Sequence, residues 1–342
     1  MRFLIVGAGA IGGYVGGSLA LGGHAVTFLA RPATAASLRS TGLRLTDART
    51  GVIRAIKPSV AVTPAEVQAS GPYNCAVLAT KAYDTEAVAN SLKAALPSPP
   101  PILCLQNGVD GEPELAGLFG ASAIISGTVT TAISKAGPVE LTVEKSRGMG
   151  IALGHPLSEP LVAALVSAGI RTGAYPNAGP MKWSKLLSNL TGNATSAILD
   201  MTVGEVFADS RLFAVEMAAL RECLAVMKAL RYNVVNLPGV PVRALAFATR
   251  LPAWLARPLL LRGVAGGRGG KMPSLHIDLH LGRTQTEVRW LHGAVARHGA
   301  LAGVPAPVNQ VLSDTLQALS ARRFNLEEFR RRPEALLARM SV

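Results

Sequence analysis

Lys185, Asn189 and Asn193 recur at intervals of four residues in the segment KWSKLLSNLTGN, residues 182–193. Residues four apart lie on one face of an α-helix, so this spacing predicts a polar stripe. A lysine ammonium can polarise a carbonyl group and deliver a proton to it, and asparagine can orient hydroxyl and carboxylate groups. We therefore interpret the stripe as a binding surface for a carbonyl compound that carries a carboxylate.

One alternative for this stripe is a solvent-exposed helix face, with the lysine in water and the asparagines without a role. The other alternative is that Lys182, and not Lys185, is the functional lysine. Lys182, one turn earlier, lies on nearly the same face but does not share the register of the two asparagines. Lys185 is therefore the predicted proton donor.

A glycine-rich turn follows the first apolar run, RFLIVG, and precedes a small-residue helix over 10–23 and a second strand over 24–30. This context is typical of a dinucleotide site, in which the backbone approaches a pyrophosphate at a helix N-terminus. A glycine turn without a ligand is the less favoured alternative. The predicted cofactor contacts in the turn are Gly7, Ala8, Gly9, Ala10, Ile11 and Gly12.

The second predicted strand ends at Leu29-Ala30-Arg31, and no acidic residue occurs from Met1 to Thr46. NAD sites usually carry an acid at this strand end, whereas NADP sites tend to place an arginine there for the 2′-phosphate. The pattern favours NADPH bound at Arg31 over an ordinary solvated charge.

Two further buried strands, NCAVLAT and PILCLQN, are followed by Lys81 and by Asn107. Open α/β sheets bind ligands at the carboxyl ends of their strands. Both residues could serve only as turn or helix-entry residues, but their position favours contact with cofactor or substrate.

The remaining patterns set the fold class. LRLT and GVIRAI flank a turn as a hairpin, and strands are predicted over 123–129 and near 170–175. Beyond 179 the patterns are helical, over 180–199, 209–231, 274–298 and 307–322. We predict an α/β protein with a Rossmann-like dinucleotide-binding domain over 1–177, an all-helical domain over 178–342, and a cleft between them.

The composition of the chain indicates which kinds of ligand it binds. The 342 residues carry a net charge of +13, 49% are hydrophobic and 5% are aromatic. Because the basic residues are scattered and aromatics are few, a nucleic-acid surface is less favoured than a small anionic ligand.

Cys75, Cys104 and Cys223 are widely spaced, as in a reducing compartment, and neither a signal peptide nor a span of about 20 apolar residues is recognisable. We expect a cytoplasmic protein.

Residues 239–272 form a basic and apolar insertion in which Arg243, Arg250 and Arg257 recur every seven residues. This pattern could describe a membrane-surface helix. Pro252 and Pro258 interrupt such a helix, so we favour a two-piece helical flap over the cleft or a dimer contact, and we do not expect membrane contact.

His276 and His280 are four residues apart, a spacing that can chelate a metal. The sequence places no third ligand beside them, and two histidines on one helix face more often pack or face solvent. We therefore expect no metal.

The chain resembles the ketopantoate reductase (2-dehydropantoate 2-reductase) family through GAGAIG, Arg31, LATKAYDT, LQNGVDG, KWSKLLSNLTGNATSAI, PSLHIDLHLGRTQTEV and GVPAPVNQVL. The resemblance implies hydride transfer from NADPH to the C2 ketone of a branched 2-oxo acid, most readily ketopantoate, in pantothenate biosynthesis. It makes Lys185 the catalytic acid and assigns substrate binding to Asn189, Asn193 and Ser274. It places Lys81 and Asn107 beside nicotinamide and substrate, and Glu287 at the active-site border or on the cofactor.

Three departures accompany the resemblance. Arg289 and His292 stand where the family usually has Asp and Asn, an extra residue lies between Asp278 and Glu287, and Val203 replaces a frequent asparagine. A reductase of a related 2-oxo acid and a non-catalytic NADP-binding sensor therefore stay open as alternatives, and a homodimer is possible.

Overall fold

The computed structural model of the protein describes residues 1–268 and 272–340. The chain divides into two compact units, which we describe separately. The first comprises Met1–Lys182 with Leu237–Val240, and the second comprises Trp183–Asn236 with Pro241–Val342. The domain division over 1–177 and 178–342 stays a prediction.

The strands found among the described residues lie in the first unit. They are β1 (Arg2–Val6), β2 (Ala25–Leu29), β3 (Leu43–Asp47), β4 (Ile53–Ile56), β5 (Ser59–Ala61), β6 (Cys75–Leu78), β7 (Ile102–Cys104), β8 (Ile124–Val129), β9 (Ala132–Lys135), β10 (Glu140–Lys145), β11 (Met149–Ala152) and β12 (Thr172–Tyr175). Its helices are α1 (Ala10–Leu21), α2 (Pro32–Thr41), α3 (Pro64–Ala69), α4 (Thr85–Ala95), α5 (Gly111–Phe119), α6 (Ser158–Ser167) and the start of α7 (Ala178–Leu190).

Eight strands form one sheet in the order β12-β11-β8-β7-β6-β1-β2-β5. The strands from β8 to β5 in this order pair in parallel, and a second sheet has the order β4-β3-β10-β9. Strands β3 and β4 pair antiparallel, which confirms the predicted hairpin. The Rossmann-like N-terminal part of the predicted fold class is confirmed.

The first strand is buried because apolar layers cover both of its faces. Phe3 and Ile5 pack into one hydrophobic cluster, and Leu4 and Val6 pack into another. A methyl group on Gly16 of α1 would lie 2.6 Å from Phe28 and 2.7 Å from Ile5. The small residues of α1 thus let the helix approach the sheet closely, and this approach positions the helix N-terminus beside the end of β1.

The second unit is helical. After the rest of α7 come α8 (Asn193–Leu199), α9 (Val203–Ala208), α10 (Ser210–Ala229), α11 (Val242–Ala248), α12 (Ala253–Arg268), α13 (Ser274–His280), a 3₁₀ turn (Glu287–Trp290), α14 (His292–Leu301), α15 (Pro307–Ser320), α16 (Leu326–Phe329) and α17 (Pro333–Met340). The helical C-terminal part of the predicted fold class is confirmed.

Two helix predictions are wrong in detail. The helix predicted over 180–199 breaks at Thr191-Gly192, and the one predicted over 274–298 divides into α13, a 3₁₀ turn and α14. The basic insertion contains two helices, and the first of them, α11, ends before Pro252, whereas Pro258 lies inside α12 and does not interrupt it. Its role as a flap or a dimer contact stays a prediction. Residues 269–271 of its glycine-rich end lie outside the described residues. Within 1–268 and 272–340, no helix is both long and apolar enough to cross a membrane.

Candidate functional site

Each of four adjacent strands of the large sheet is followed, shortly after its last residue, by a predicted cofactor residue. The order β7-β6-β1-β2 is parallel throughout, and Leu78 of β6 pairs with Cys104 of β7 and with Val6 of β1. Parallel neighbours place their carboxyl ends at one sheet edge. That edge therefore carries, in spatial order, Asn107, Lys81, Gly7 and Arg31.

The glycine turn has the geometry that its sequence predicts. Gly7 has φ +103°, and a methyl group on it would lie 2.7 Å from Thr80. A methyl group on Gly12 would lie 2.0 Å from the Gly7 carbonyl oxygen, whereas one on Gly9 would meet no described atom within 4 Å. Helix α1 has neither a side-chain cap nor an acid in its first turn. Its N-terminus is thus open to an anion beside Gly9.

Arg31 lies at the end of β2, with its side chain 85% exposed. Its guanidinium donates a hydrogen bond to Oδ2 of Asp84 at 3.2 Å. Asp84 is 53 residues away in sequence, so the acid-free stretch around Arg31 gave no sign of it. The structure therefore supplies an acid at the end of β2 after all, beside the arginine predicted to bind the 2′-phosphate.

Gln106 holds the ends of β6 and β7 together. It is 4% exposed, and its amide nitrogen donates to Thr80 Oγ1 at 3.3 Å, to the Lys81 carbonyl oxygen at 3.2 Å and to Thr85 Oγ1 at 3.0 Å. These bonds fix the backbone on both sides of the edge that carries Lys81 and Asn107. Both of those residues are partly exposed.

Lys182 is buried within the first unit. Its Nζ lies 2.7 Å from Glu112 Oε1 and donates to the carbonyl oxygen of Gln106 at 2.8 Å. Burial by itself would lower the pKa of Lys182, but the Glu112 carboxylate more than offsets it, and the net shift is upward. Lys182 thus connects the Glu112 carboxylate to the backbone of Gln106, beside Asn107.

In the second unit, Lys185 and Asn189 are half-buried on α7. They are one turn apart and lie on the same face of this helix, as their spacing predicts. The carbonyl oxygen of Lys185 accepts a hydrogen bond from the Ser188 hydroxyl at 2.8 Å. The role of Lys185 as the proton donor stays a prediction, with which partial burial is compatible.

Asn193 lies past the break, on α8, and is 4% exposed. Its Nδ2 donates to the Asn189 carbonyl oxygen at 3.0 Å, and its Oδ1 accepts from the Leu275 N–H at 3.2 Å. Asn193 therefore links the end of α7 to the start of α13, where Ser274 is exposed. The structure brings these predicted residues together, although one continuous helix does not carry them.

The break between α7 and α8 depends on a buried acid that the sequence analysis missed. Glu216 of α10 is 1% exposed and accepts hydrogen bonds from the Gly192 N–H at 2.6 Å and from the Thr195 hydroxyl. Gly192 has φ +62°, a left-handed conformation that glycine tolerates best. A lone glutamate in the apolar run VEMAAL was the available signal.

Two residues of the altered late segment are buried within the second unit. Glu287 is 3% exposed and begins the 3₁₀ turn, and His292 is 1% exposed. Nδ1 of His292 lies 2.9 Å from Oδ1 of Asn309, whose Nδ2 donates to the Ala219 carbonyl oxygen and to Glu222. The departure at His292 thus has a packing partner in the GVPAPVNQ segment.

Comparison with known protein families gives two matches. Residues 3–154 match the family "Ketopantoate reductase PanE/ApbA", and residues 177–320 match the family "Ketopantoate reductase PanE/ApbA C terminal". A protein of Halobacterium salinarum named 2-dehydropantoate 2-reductase is 29% identical over 328 residues, which cover 93% of this chain and 98% of the relative.

Solved structures agree with these matches. A PanE/ApbA family ketopantoate reductase from Ralstonia eutropha JMP134 superimposes with a TM-score of 0.80 at 28% identity, covering 94% of this chain and 99% of that chain. A D-mandelate dehydrogenase solved with NADH and anilino(oxo)acetate has a TM-score of 0.76 at 20% identity, over 94% and 99% of the two chains. The second likeness concerns the fold alone.

Proposed function

Because this chain belongs to the ketopantoate reductase PanE/ApbA family, a family of oxidoreductases, we propose that it uses NADPH to reduce the C2 ketone of a branched 2-oxo acid to a 2-hydroxy acid. The first candidate substrate is 2-dehydropantoate, which would place the reaction in pantothenate biosynthesis. The observation that carries the proposal is the sheet edge along which Asn107, Lys81, Gly7 and Arg31 follow one another.

The residues of this edge fit a dinucleotide. The open N-terminus of α1 at Gly9 suits the pyrophosphate, because helix N–H groups and the helix dipole attract anions. Arg31 suits a 2′-phosphate, and its exposure leaves it free to turn from Asp84 toward a ligand. We assign Lys81 and Asn107 to the nicotinamide and substrate end. Bound NADPH supplies the hydride.

The second unit supplies the groups proposed to act on the substrate. Lys185 polarises the ketone and donates a proton to the oxygen as negative charge develops there. Asn189 and Ser274 bind the polar groups of the acid. The Asn193 amide nitrogen and oxygen each form a hydrogen bond with a backbone group. We therefore assign Asn193 two roles: it positions α13 and Ser274, and it lies at the edge of the substrate site. Glu287 is assigned to the border of the site or to the cofactor.

A substrate panel tests the reaction. Purified protein is mixed with NADPH and with 2-dehydropantoate, smaller 2-oxo acids and bulkier ones, and loss of reduced nicotinamide absorbance is followed. We expect the highest kcat/KM with a branched 2-oxo acid. Binding of NADPH without turnover of any member of the panel would instead support the sensor alternative.

Cofactor preference depends, in this proposal, on Arg31 and Asp84. Arg31→Ala should reduce the ratio of kcat/KM with NADPH to that with NADH by about tenfold or more, since a charge-assisted contact to phosphate is lost. Asp84→Asn removes the competing carboxylate and should raise the ratio. An unchanged ratio in both variants would contradict the assignment of the 2′-phosphate to Arg31.

We add proposals on the location, the partners and the assembly of the protein. We propose a cytoplasmic location, supported by Cys75, Cys104 and Cys223, which are all buried free thiols. We propose no nucleic-acid partner and no membrane contact. A homodimer is the assembly to test, by light scattering of the purified chain.

A further inference from the structure

Asp200, His276 and His280 converge in the second unit, with one ligand-type atom from each within 4.8 Å of the others. Nε2 of His276 lies 2.7 Å from Asp200 Oδ1, and Nε2 of His280 lies 3.8 Å from the same oxygen. The sequence places the two histidines four residues apart but places no third ligand beside them. Asp200 is 76 residues before His276, so only folding brings it there.

The two imidazoles are arranged as a chelating pair. They lie one turn apart on α13 and stack with ring centroids 4.0 Å apart and an angle of 18° between the planes. Both Nε2 atoms face the same carboxylate oxygen. Nε2 of His280 also lies 3.3 Å from the Ala197 carbonyl oxygen, a long contact that a stronger ligand bond can replace.

Asp200 carries its carboxylate at the C-terminal end of α8. Asp200 ends α8 with φ 49° and ψ 49°, a left-handed conformation that is uncommon outside glycine. Its Oδ2 forms an ion pair with Arg330, with Nε 3.2 Å away, while its Oδ1 faces the histidines. Such an outer contact is of the kind that orients metal-binding carboxylates.

We propose that Asp200, His276 and His280 form a binding site for a divalent transition-metal cation such as Zn²⁺, Co²⁺ or Ni²⁺. Two imidazole nitrogens and one carboxylate oxygen favour these ions over Mg²⁺ or Ca²⁺, which prefer oxygen ligands. The Asp200 and His280 side chains are 22% and 23% exposed, so water completes the coordination. When the ion binds, each Nε2 is deprotonated and the ring proton resides on Nδ1.

The site joins the end of α8 to the last turn of α13, and Asn193 joins the start of α8 to the first turn of α13. A bound ion therefore strengthens one of two attachments of the helix that begins at Ser274. It acts as a structural clamp in this inference, which does not rest on the proposed reductase activity. The nearby Arg330 guanidinium repels a cation, so we expect weaker binding than at thiolate zinc sites.

Equilibrium dialysis of the full chain, stripped with EDTA and freed of any histidine tag, tests the site with Zn²⁺, Co²⁺ and Ni²⁺. We expect one saturable ion per chain, Co²⁺ absorption bands typical of nitrogen and oxygen ligands, and a higher thermal midpoint with metal. His280→Gln should weaken binding by on the order of tenfold or more.

Asp200→Asn is the matched second variant, because asparagine also tolerates the left-handed conformation and has the same shape. It should lose the metal-dependent rise in thermal midpoint, while His155→Gln, in the other unit, should keep it. Circular dichroism confirms that each variant is folded. Saturable binding that survives both His280→Gln and Asp200→Asn, or the lack of saturable binding of all three ions by the wild-type chain, overturns the proposal.

Discussion

At the scale of single residues, two lysines three positions apart on α7 have opposite environments. Lys182 is 5% exposed, paired with Glu112 and bonded to the Gln106 carbonyl oxygen, whereas Lys185 is half-buried. A lysine whose charge is locked by a buried carboxylate is a poor proton donor, since losing its proton would leave that carboxylate unpaired. This difference supports the proposal that Lys185, and not Lys182, is the acid.

Replacing the proposed acid should affect turnover more than cofactor binding. Lys185→Ala is expected to lower kcat by roughly 10²–10⁴-fold, the usual range for loss of a general acid, with the NADPH dissociation constant nearly unchanged. Steady-state kinetics and cofactor titration measure the two effects. Lys228→Ala, at an exposed position on α10, serves as the control. Full turnover by Lys185→Ala would refute the mechanism.

His292 predicts a pH dependence of stability. Burial lowers its pKa from 6.5 to about 4, and its Nε2 has no hydrogen-bond partner among the described residues. The unfolded chain binds a proton at this site below about pH 6.5 and the folded chain does so only near pH 4. Stability is therefore lost as the pH falls between these values, by about 3 kcal/mol for this group.

Urea unfolding at pH 7 and pH 4.5 measures this loss. His292→Gln should show a smaller drop between the two pH values than the wild-type chain, although its stability at pH 7 is lower. The other titrating groups are common to both proteins, so they cancel in the comparison. An identical drop in the variant would show that His292 does not titrate as described.

At the scale of elements, the turn between α7 and α8 decides how the polar stripe is displayed. Glu216 accepts the Gly192 N–H at 2.6 Å, and Gly192 adopts φ +62°. Helix α7 therefore ends where the buried Glu216 carboxylate accepts a hydrogen bond from a backbone N–H group. Asn193 consequently points to α13 instead of extending the face of Lys185 and Asn189.

Gly192→Ala should destabilise this turn. Its methyl group would lie 2.4 Å from Val203, and alanine is strained at positive φ, so we expect a loss of about 2–4 kcal/mol. Gly204→Ala in α9 is the matched control, because its nearest neighbour, Thr202 Oγ1, is 3.8 Å away. That change should be neutral or slightly stabilising. Equal urea midpoints for the two variants would contradict this account.

At the scale of the whole molecule, the net charge of +13 should attract the anionic cofactor and substrate proposed here. Salt screens such attraction, with a Debye length of about 10 Å at 0.1 M. KM values for NADPH and for the 2-oxo acid should rise with KCl concentration, and the NADPH effect should be smaller in Arg31→Ala. Salt-independent KM values would show that the net charge has no part in binding.

The sequence by itself determined the Rossmann-like and helical parts of the fold, the glycine turn and the strand ends that carry Arg31, Lys81 and Asn107. These features depend on neighbouring residues, through alternation of apolar residues, glycine conformations and helix spacing. The possible orders of the strands are also few, because parallel strands with helical connections form a limited set of topologies.

Only the tertiary structure decided which charged and polar groups meet. Asp84 reaches Arg31, Glu112 reaches Lys182, Glu216 ends α7 at Gly192, and Asp200 reaches the two histidines. The closest of these partners in sequence, Gly192 and Glu216, are 24 residues apart, and Asp200 and His276 are 76 residues apart. Their meeting depends on how helices and strands pack, and local propensity carries no information about such distant partners.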